Sequence, residues 1–235
     1  MVFVARLTQR GHIIKSMEDL LSLYEKGYTS ETVKKIGALP HPTVQKFSVI
    51  TIAVVGASRR FLAQITRHQN ETKFMSASLQ YSNYSGHADF VVPYEILTAD
   101  KWVREFYLKK CKAAMENYTD IGACGIPKDA AGYLAPHSLR NVLVISATPY
   151  QWKHMIGQRV CRRNTKETRF VMLKIWADLY ALSPELFSPE LTGSFCQRGN
   201  CKEGAMSCQS PVSKKMPPLE ILRLDYPAAM KGGTN

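Results

Sequence analysis

The chain has 235 residues, enough for one domain with a core of useful size that needs no staples. Its 45% hydrophobic and 10% aromatic content is ordinary for a globular protein, and six cysteines in this length do not make a disulfide scaffold. Lys and Arg outnumber Asp and Glu by 31 to 19, a net charge of +12, which favours nucleic acid, acidic lipid or a phosphorylated small molecule as partner, or is a basic solvated surface.

The first residues, Met1-Val2-Phe3-Val4-Ala5-Arg6, lack the charged and apolar regions of a secretory signal. The longest apolar run, at 47–57, is broken by Ser48 and Thr51 and is too short to cross a bilayer. A soluble, cytoplasmic protein with reduced thiols and no membrane partner is expected. Residues 16–26 read as a short helix capped by Ser16, with Asp19 three positions on and Gly27 after it. The Val, Ile and Phe of 47–55 predict a buried strand, ended by Gly56. Ser58 then caps a helix to about residue 67. Residues 70–87 are polar and aromatic without a period, and are expected to form a working loop. A short strand at 90–92 ends at Pro93, and Thr98 caps a helix to about residue 118. A strand is predicted at 141–147 and helices at 151–159 and 166–182. Pro, Gly and Cys increase after Ser183. One domain is expected over 1–210, followed by a tail at 211–235 that contains Gly232-Gly233.

Within the helix expected after Ser58, Gln64, Arg67 and His68 stand at i, i+3 and i+4 and would share a face. A guanidinium fits a phosphate through its planar fork, and an amide can hold a nucleobase edge with one donor and one acceptor. A solvated polar face would carry the same residues.

The surrounding segments narrow this. The order Gly56-Ala57-Ser58-Arg59, then Gln64-Ile65-Thr66-Arg67-His68-Gln69, then Ser78-Leu79-Gln80-Tyr81 resembles the signature region of flavin-dependent thymidylate synthases. His154-Met155-Ile156-Gly157-Gln158-Arg159 followed by Lys166-Glu167-Thr168-Arg169 is similar to a second family stretch. The segment from Phe195-Cys196-Gln197-Arg198 through Asn200 and Cys201 to Cys208 resembles the tail of one bacterial branch. The resemblance spans roughly residues 40–210. It implies an α/β (α+β) fold with a central mixed or antiparallel sheet flanked by helices, assembled as a homotetramer with shared sites. It also implies methylation of dUMP at C5, with methylenetetrahydrofolate as one-carbon donor, FAD as hydride carrier and NADPH as its reductant.

Carried over residue by residue, Arg159 matches the arginine that polarises the uracil. Gln64, Arg67 and Ser78 match nucleotide-binding positions, in a stretch that also includes Ser76, Leu79 and Gln80. Thr43, Arg67, His68, Gln69, Thr148 and His154 match flavin-contacting positions. Several positions depart from the family pattern. Gln69 replaces a second Arg, Ser76 an acidic or amide residue, and Gln80 the loop Arg. Gly132 replaces another Arg, and Thr148 and Tyr150 replace Asn and Arg. Another deoxypyrimidine nucleotide, or lost activity, stays open on these grounds. A nucleic-acid-binding module using Arg59, Arg60, Arg67, Arg162, Arg163 and Lys166 would explain the charge but not the three ordered matches. No metal is expected, because Cys196, Cys201 and Cys208 do not have zinc-ligand spacing and lack a local fourth ligand. The neighbouring Arg159 and Arg162 suggest a lowered thiol pKa at Cys161.

Overall fold

The computed structural model describes residues 1–199 and 201–231; Asn200 of the cysteine segment and the Gly232-Gly233 pair lie outside the described residues. Three N-terminal helices come first: α1 (Val2–Arg10), α2 (Met17–Glu25) and α3 (Ser30–Gly37). In α2, Ser16 and Asp19 form a reciprocal capping box, so the sequence signal at this helix reports its start correctly. A 3₁₀ turn at Pro42–Phe47 leads into strand β1 (Ile50–Ser58) and helix α4 (Arg59–Ile65). Strand β2 (Thr72–Ser76) follows, then α5 (Tyr94–Leu97), α6 (Lys101–Ala123) and α7 (Lys128–Ala131). Strand β3 (Arg140–Ala147) runs into α8 (Pro149–Arg159) and α9 (Lys166–Leu182). The short α10 (Pro189–Thr192) precedes α11 (Pro218–Asp225) and α12 (Pro227–Lys231).

The sheet is small and wholly antiparallel, in the order β1-β3-β2. Ile50 pairs with Ala147 and Ser58 with Arg140, and Thr72 pairs with Ala147 on the other edge. Gly56 does not end β1. It sits at a bulge with φ +85, a conformation that favours glycine, and the strand continues to Ser58. Alternate β3 residues Leu143, Ile145 and Ala147 are buried against helices. They meet Phe61 and Ile65 of α4, Trp152, Met155 and Ile156 of α8, and Met172, Leu173 and Trp176 of α9. Val55, Val142 and Met75 are exposed on the sheet. A second cluster of Phe90, Met115, Tyr118 and Leu139 packs α6 beside the sheet end.

Five further expectations are corrected. Phe47 belongs to the 3₁₀ turn, because Pro42 at its start favours a tight turn, and pairing begins only at Ile50. The segment expected as loop contains β2, whose single alternation over Thr72–Ser76 is too short to register as a period. Helix α4 stops at Ile65, so Arg67 and His68 do not share a helical face with Gln64. The long helix α6 starts at Lys101 behind Asp100, while Thr98 instead closes α5. The final stretch, expected as a tail, holds α11, and Ile221, Leu222 and Tyr226 enter the main core.

Candidate active site

Helix α8 starts where Thr148 caps it: the Thr148 hydroxyl accepts from Gln151 N at 3.2 Å, and Pro149 fills the first turn. The helix buries Trp152, Met155 and Ile156 in the core. His154, Gln158 and Arg159 are left on the side that faces the turn after α4. That turn is short and closed by a bond from His68 N to the Ile65 carbonyl at 3.1 Å. Together they enclose a polar cleft of about 470 Å³ lined by Arg67, His68, Gln69, Asn70, Gln151, His154, Gln158 and Arg159. The two sequence stretches that suggested a site, 82 residues apart from Arg67 to Pro149 in chain numbering, thus meet in one chain.

Arg159 is tightly held. Its Nη2 donates to the Gln64 carbonyl at 2.8 Å, its Nε to His68 Nε2 at 2.8 Å, and its Nη1 to Asn164 Oδ1 at 3.4 Å. A guanidinium has no lone pair to offer, so His68 Nε2 must accept and the ring is neutral with its proton on Nδ1. Burial, then the charges of Arg159 and His154, push the His68 pKa down to about 4. Burial, followed by Lys202 and Arg198, also lowers His154. Among the described residues no Asp or Glu lines the cleft. Glu71, at φ +52, instead faces away to accept from Lys46 Nζ at 2.5 Å and from the Thr148 hydroxyl at 3.2 Å. It therefore clasps the turn bearing Arg67 and His68 to the start of α8.

The other expected residues are distributed differently. Gln69 and His154 line the cleft, whereas Thr148 does not and instead bonds Glu71. The Gln64 side chain points to Thr168, accepting from its hydroxyl at 3.1 Å, and only its carbonyl serves Arg159. Thr43 is exposed in the turn that packs on α8. Ser76, Ser78, Leu79 and Gln80 end β2 and the turn after it. Ser78 Oγ accepts from Gln80 N at 3.0 Å and Tyr81 N at 3.3 Å, and Leu79 packs against Gly132. None of these four lines the cleft of the same chain.

A family profile described as thymidylate synthase complementing protein matches residues 1–185. The chain belongs to that family. Among its relatives, the flavin-dependent thymidylate synthase of Thermococcus onnurineus is 24% identical over 172 residues, covering 71% of this chain and 69% of its own. That of Pyrococcus abyssi is 28% identical over 168 residues, covering 69% and 68%. In fold, the chain is similar to a UMP/dUMP methylase, PolB from Streptomyces cacaoi, solved with 5-Br dUMP, with a TM-score of 0.63 and 16% identity over 79% of this chain and 86% of that one. No helix among the described residues is long and apolar enough to cross a membrane.

The cysteine segment lies beyond the residues matched by the thymidylate synthase complementing protein profile, and it borders the cleft. Gln158 is shared with a second cavity of about 280 Å³, lined also by Gly157, Cys161, Phe195, Cys196, Cys201, Lys202 and Glu203. The Cys161 thiol is pushed up, not down. Burial dominates, Glu203 adds to it, and Arg162 is turned away to Asp225. Among the described residues no three His, Cys, Asp or Glu side chains are placed to hold a metal ion. Sequence reasoning did not single out Lys153, Arg198 or Lys202. Lys153 is buried on α8 with its ammonium on Gln45 Oε1 at 2.9 Å, and burial followed by Arg198 lowers it to about 8. Only the spacing of Lys153 from the helix's apolar residues could have hinted at its burial.

Proposed function

We propose that this chain is a methyltransferase that converts dUMP to dTMP, taking the one-carbon unit from methylenetetrahydrofolate with FAD as cofactor and NADPH as reductant. The observation that carries the reading is the fixed Arg159 guanidinium in an acid-free cleft beside a neutral imidazole. A preorganised cation there stabilises negative charge that develops on a uracil ring without needing to reorganise. The fit to a flavin nucleotide rests on the same chemistry: the cleft has cations without acidic neighbours, and aromatic His154 and Phe195 stand edge to face at 6.5 Å beside it. FAD, when bound, supplies the hydride chemistry. Arg67, His68, Gln69 and His154 would hold it, and Arg159 would orient and polarise the pyrimidine. Ser78 and the neighbouring Ser76, Leu79 and Gln80 would complete the nucleotide site from another subunit of a homotetramer.

The test is incubation with FAD, NADPH, methylenetetrahydrofolate and dUMP, with UMP in a parallel reaction, and mass spectrometry of the nucleotides. The expected result is dTMP, absent from Arg159→Ala. Methylation of UMP alone would move the substrate to the ribonucleotide. No methylated product from either, with FAD bound, would remove the activity from this reading.

A further inference from the structure

Arg67 and Arg159 line the cleft, Lys202 lines the neighbouring cavity, and Arg198 stacks on Phe195 of that cavity's wall. Arg67, Arg159, Arg198 and Lys202 make no ion pair with any acidic residue among the described residues. Their closeness is felt by the groups between them, since Arg198 and Lys202 both act on His154. Arg198 and Lys202 are also mechanically tied to one ring. The Arg198 guanidinium lies 4.8 Å from the Phe195 ring centre and the Lys202 ammonium 4.5 Å from it.

The position of Arg198 is unusual. Its Nε and Nη2 are buried and have no hydrogen-bond partner among the described residues. A guanidinium in that state costs stability unless an acceptor arrives. The path of its side chain depends on Gly157 of α8, where a Cβ would come within 2.4 Å of Nη2. So the fold brings a cation across α8 from the cysteine segment and leaves its donors unused. Glu203, an acid lining the second cavity, lies at its Cys161 end, with its Oε1 3.9 Å from that sulfur. Neither Arg198 nor Lys202 takes it as an ion-pair partner.

We propose that Arg198 and Lys202 form an anion-binding arm that takes a phosphate or diphosphate group of the nucleotide ligand bound in the adjoining cleft. This rests on the proposed function only for the identity of the ligand. Phe195 carries the arm, Gly157 admits it, and Gln158 joins its cavity to the cleft of Arg159. An arriving phosphate would meet the exposed Lys202 ammonium first and, with a shift of the Arg198 side chain out of its buried seat, satisfy the Arg198 donors. The arm lies beyond residues 1–185, the part of the chain that the family profile matches.

Titration calorimetry on the full chain, with inorganic pyrophosphate, FAD, riboflavin, dUMP and deoxyuridine, tests the arm. Lys202 is exposed, so Lys202→Gln is expected to fold normally, and Arg198→Lys keeps the buried charge while removing the fork. Each substitution is expected to weaken pyrophosphate by about tenfold or more. If the phosphate is the flavin's, FAD weakens and riboflavin does not; if it is the substrate's, dUMP weakens and deoxyuridine does not. Pyrophosphate binding that falls in both variants, with no flavin or nucleotide bound by the wild type, upholds the arm and sinks the proposed function. Unchanged affinity for pyrophosphate, FAD and dUMP in both variants overturns the arm.

Discussion

Arg159 has two roles in one position, and they can be separated. It faces the cleft, and it also donates to the Gln64 carbonyl and His68. Arg159→Ala is expected to lower turnover by about two to three orders of magnitude, the loss of about 2.7–4 kcal/mol of preorganised charge. It also leaves the acceptors of Gln64, His68 and Asn164 unserved, at about 1–3 kcal/mol of stability. Arg159→Lys keeps charge but not the fork, so melting temperature and turnover should be measured on both variants. Turnover unchanged in a folded Arg159→Ala would remove Arg159 from the chemistry. His68 gives a pH prediction. Its folded pKa of about 4 lies below the ordinary value of 6.5, so the unfolded chain takes up its proton first as pH falls. The stability from a neutral His68 is complete above pH 6.5 and is lost as pH drops through about 4. Chemical denaturation at pH 7, 5.5 and 4.5 should show a steeper loss for the wild type than for His68→Gln. A His68 that titrates above 6.5 by NMR would refute its role as acceptor from Arg159.

At the scale of elements, α11 is bound to α9 by charge as well as packing. Asp225 accepts from buried Arg169 at 2.5 Å and from Arg162 at 3.1 Å, while Arg169 also donates to the Val160 carbonyl at 2.9 Å. Asp225→Ala strands the Arg169 charge in the core and is expected to cost about 3–5 kcal/mol, read by denaturant unfolding. A loss no greater than that of an exposed pair would mean that Arg169 is satisfied by Val160 alone. This helix was the element the sequence hid best: Pro217, Pro218 and the distal glycines signal a tail, and only the long-range pairing of Asp225 and Tyr226 makes it core. Helices α2, α8 and α9 were legible because caps and apolar spacing are local. Strand β2 was not, since five residues carry too little alternation and its partner is 67 positions away at Leu143. The site divides in the same way. That His154 and Arg159 line one cleft was legible through motif order, whereas the shared helical face expected for Gln64, Arg67 and His68 is absent because the helix ends one residue after Gln64. Arg198 was missed because its significance lies in what it lacks.

At the scale of the whole molecule, one chain holds the residues of the proposed site in two separated places. Arg159 and His68 line the cleft, while Ser78 and its neighbours close a turn elsewhere, against Gly132. The sheet also leaves apolar side chains outward: Val55 is 77% exposed and Met75 73%. A patch of this kind on a folded chain favours association. A homotetramer in which Ser78 of one subunit faces Arg159 of another would account for both features. Complementation tests this directly. Arg159→Ala and Ser78→Ala are each expected to be nearly inactive alone. Denatured together in equal amounts and refolded, they would regenerate intact sites wherever an Arg159→Ala chain donates its Ser78 to a Ser78→Ala chain, roughly a quarter of sites at random symmetric assembly. Light scattering on the same sample reports the assembly. Recovered activity with a tetrameric mass supports shared sites. Activity no greater than the sum of the two variants, from a sample that is tetrameric, would place Ser78 in the same subunit's site or outside the reaction, and a monomer would remove the shared-site arrangement altogether.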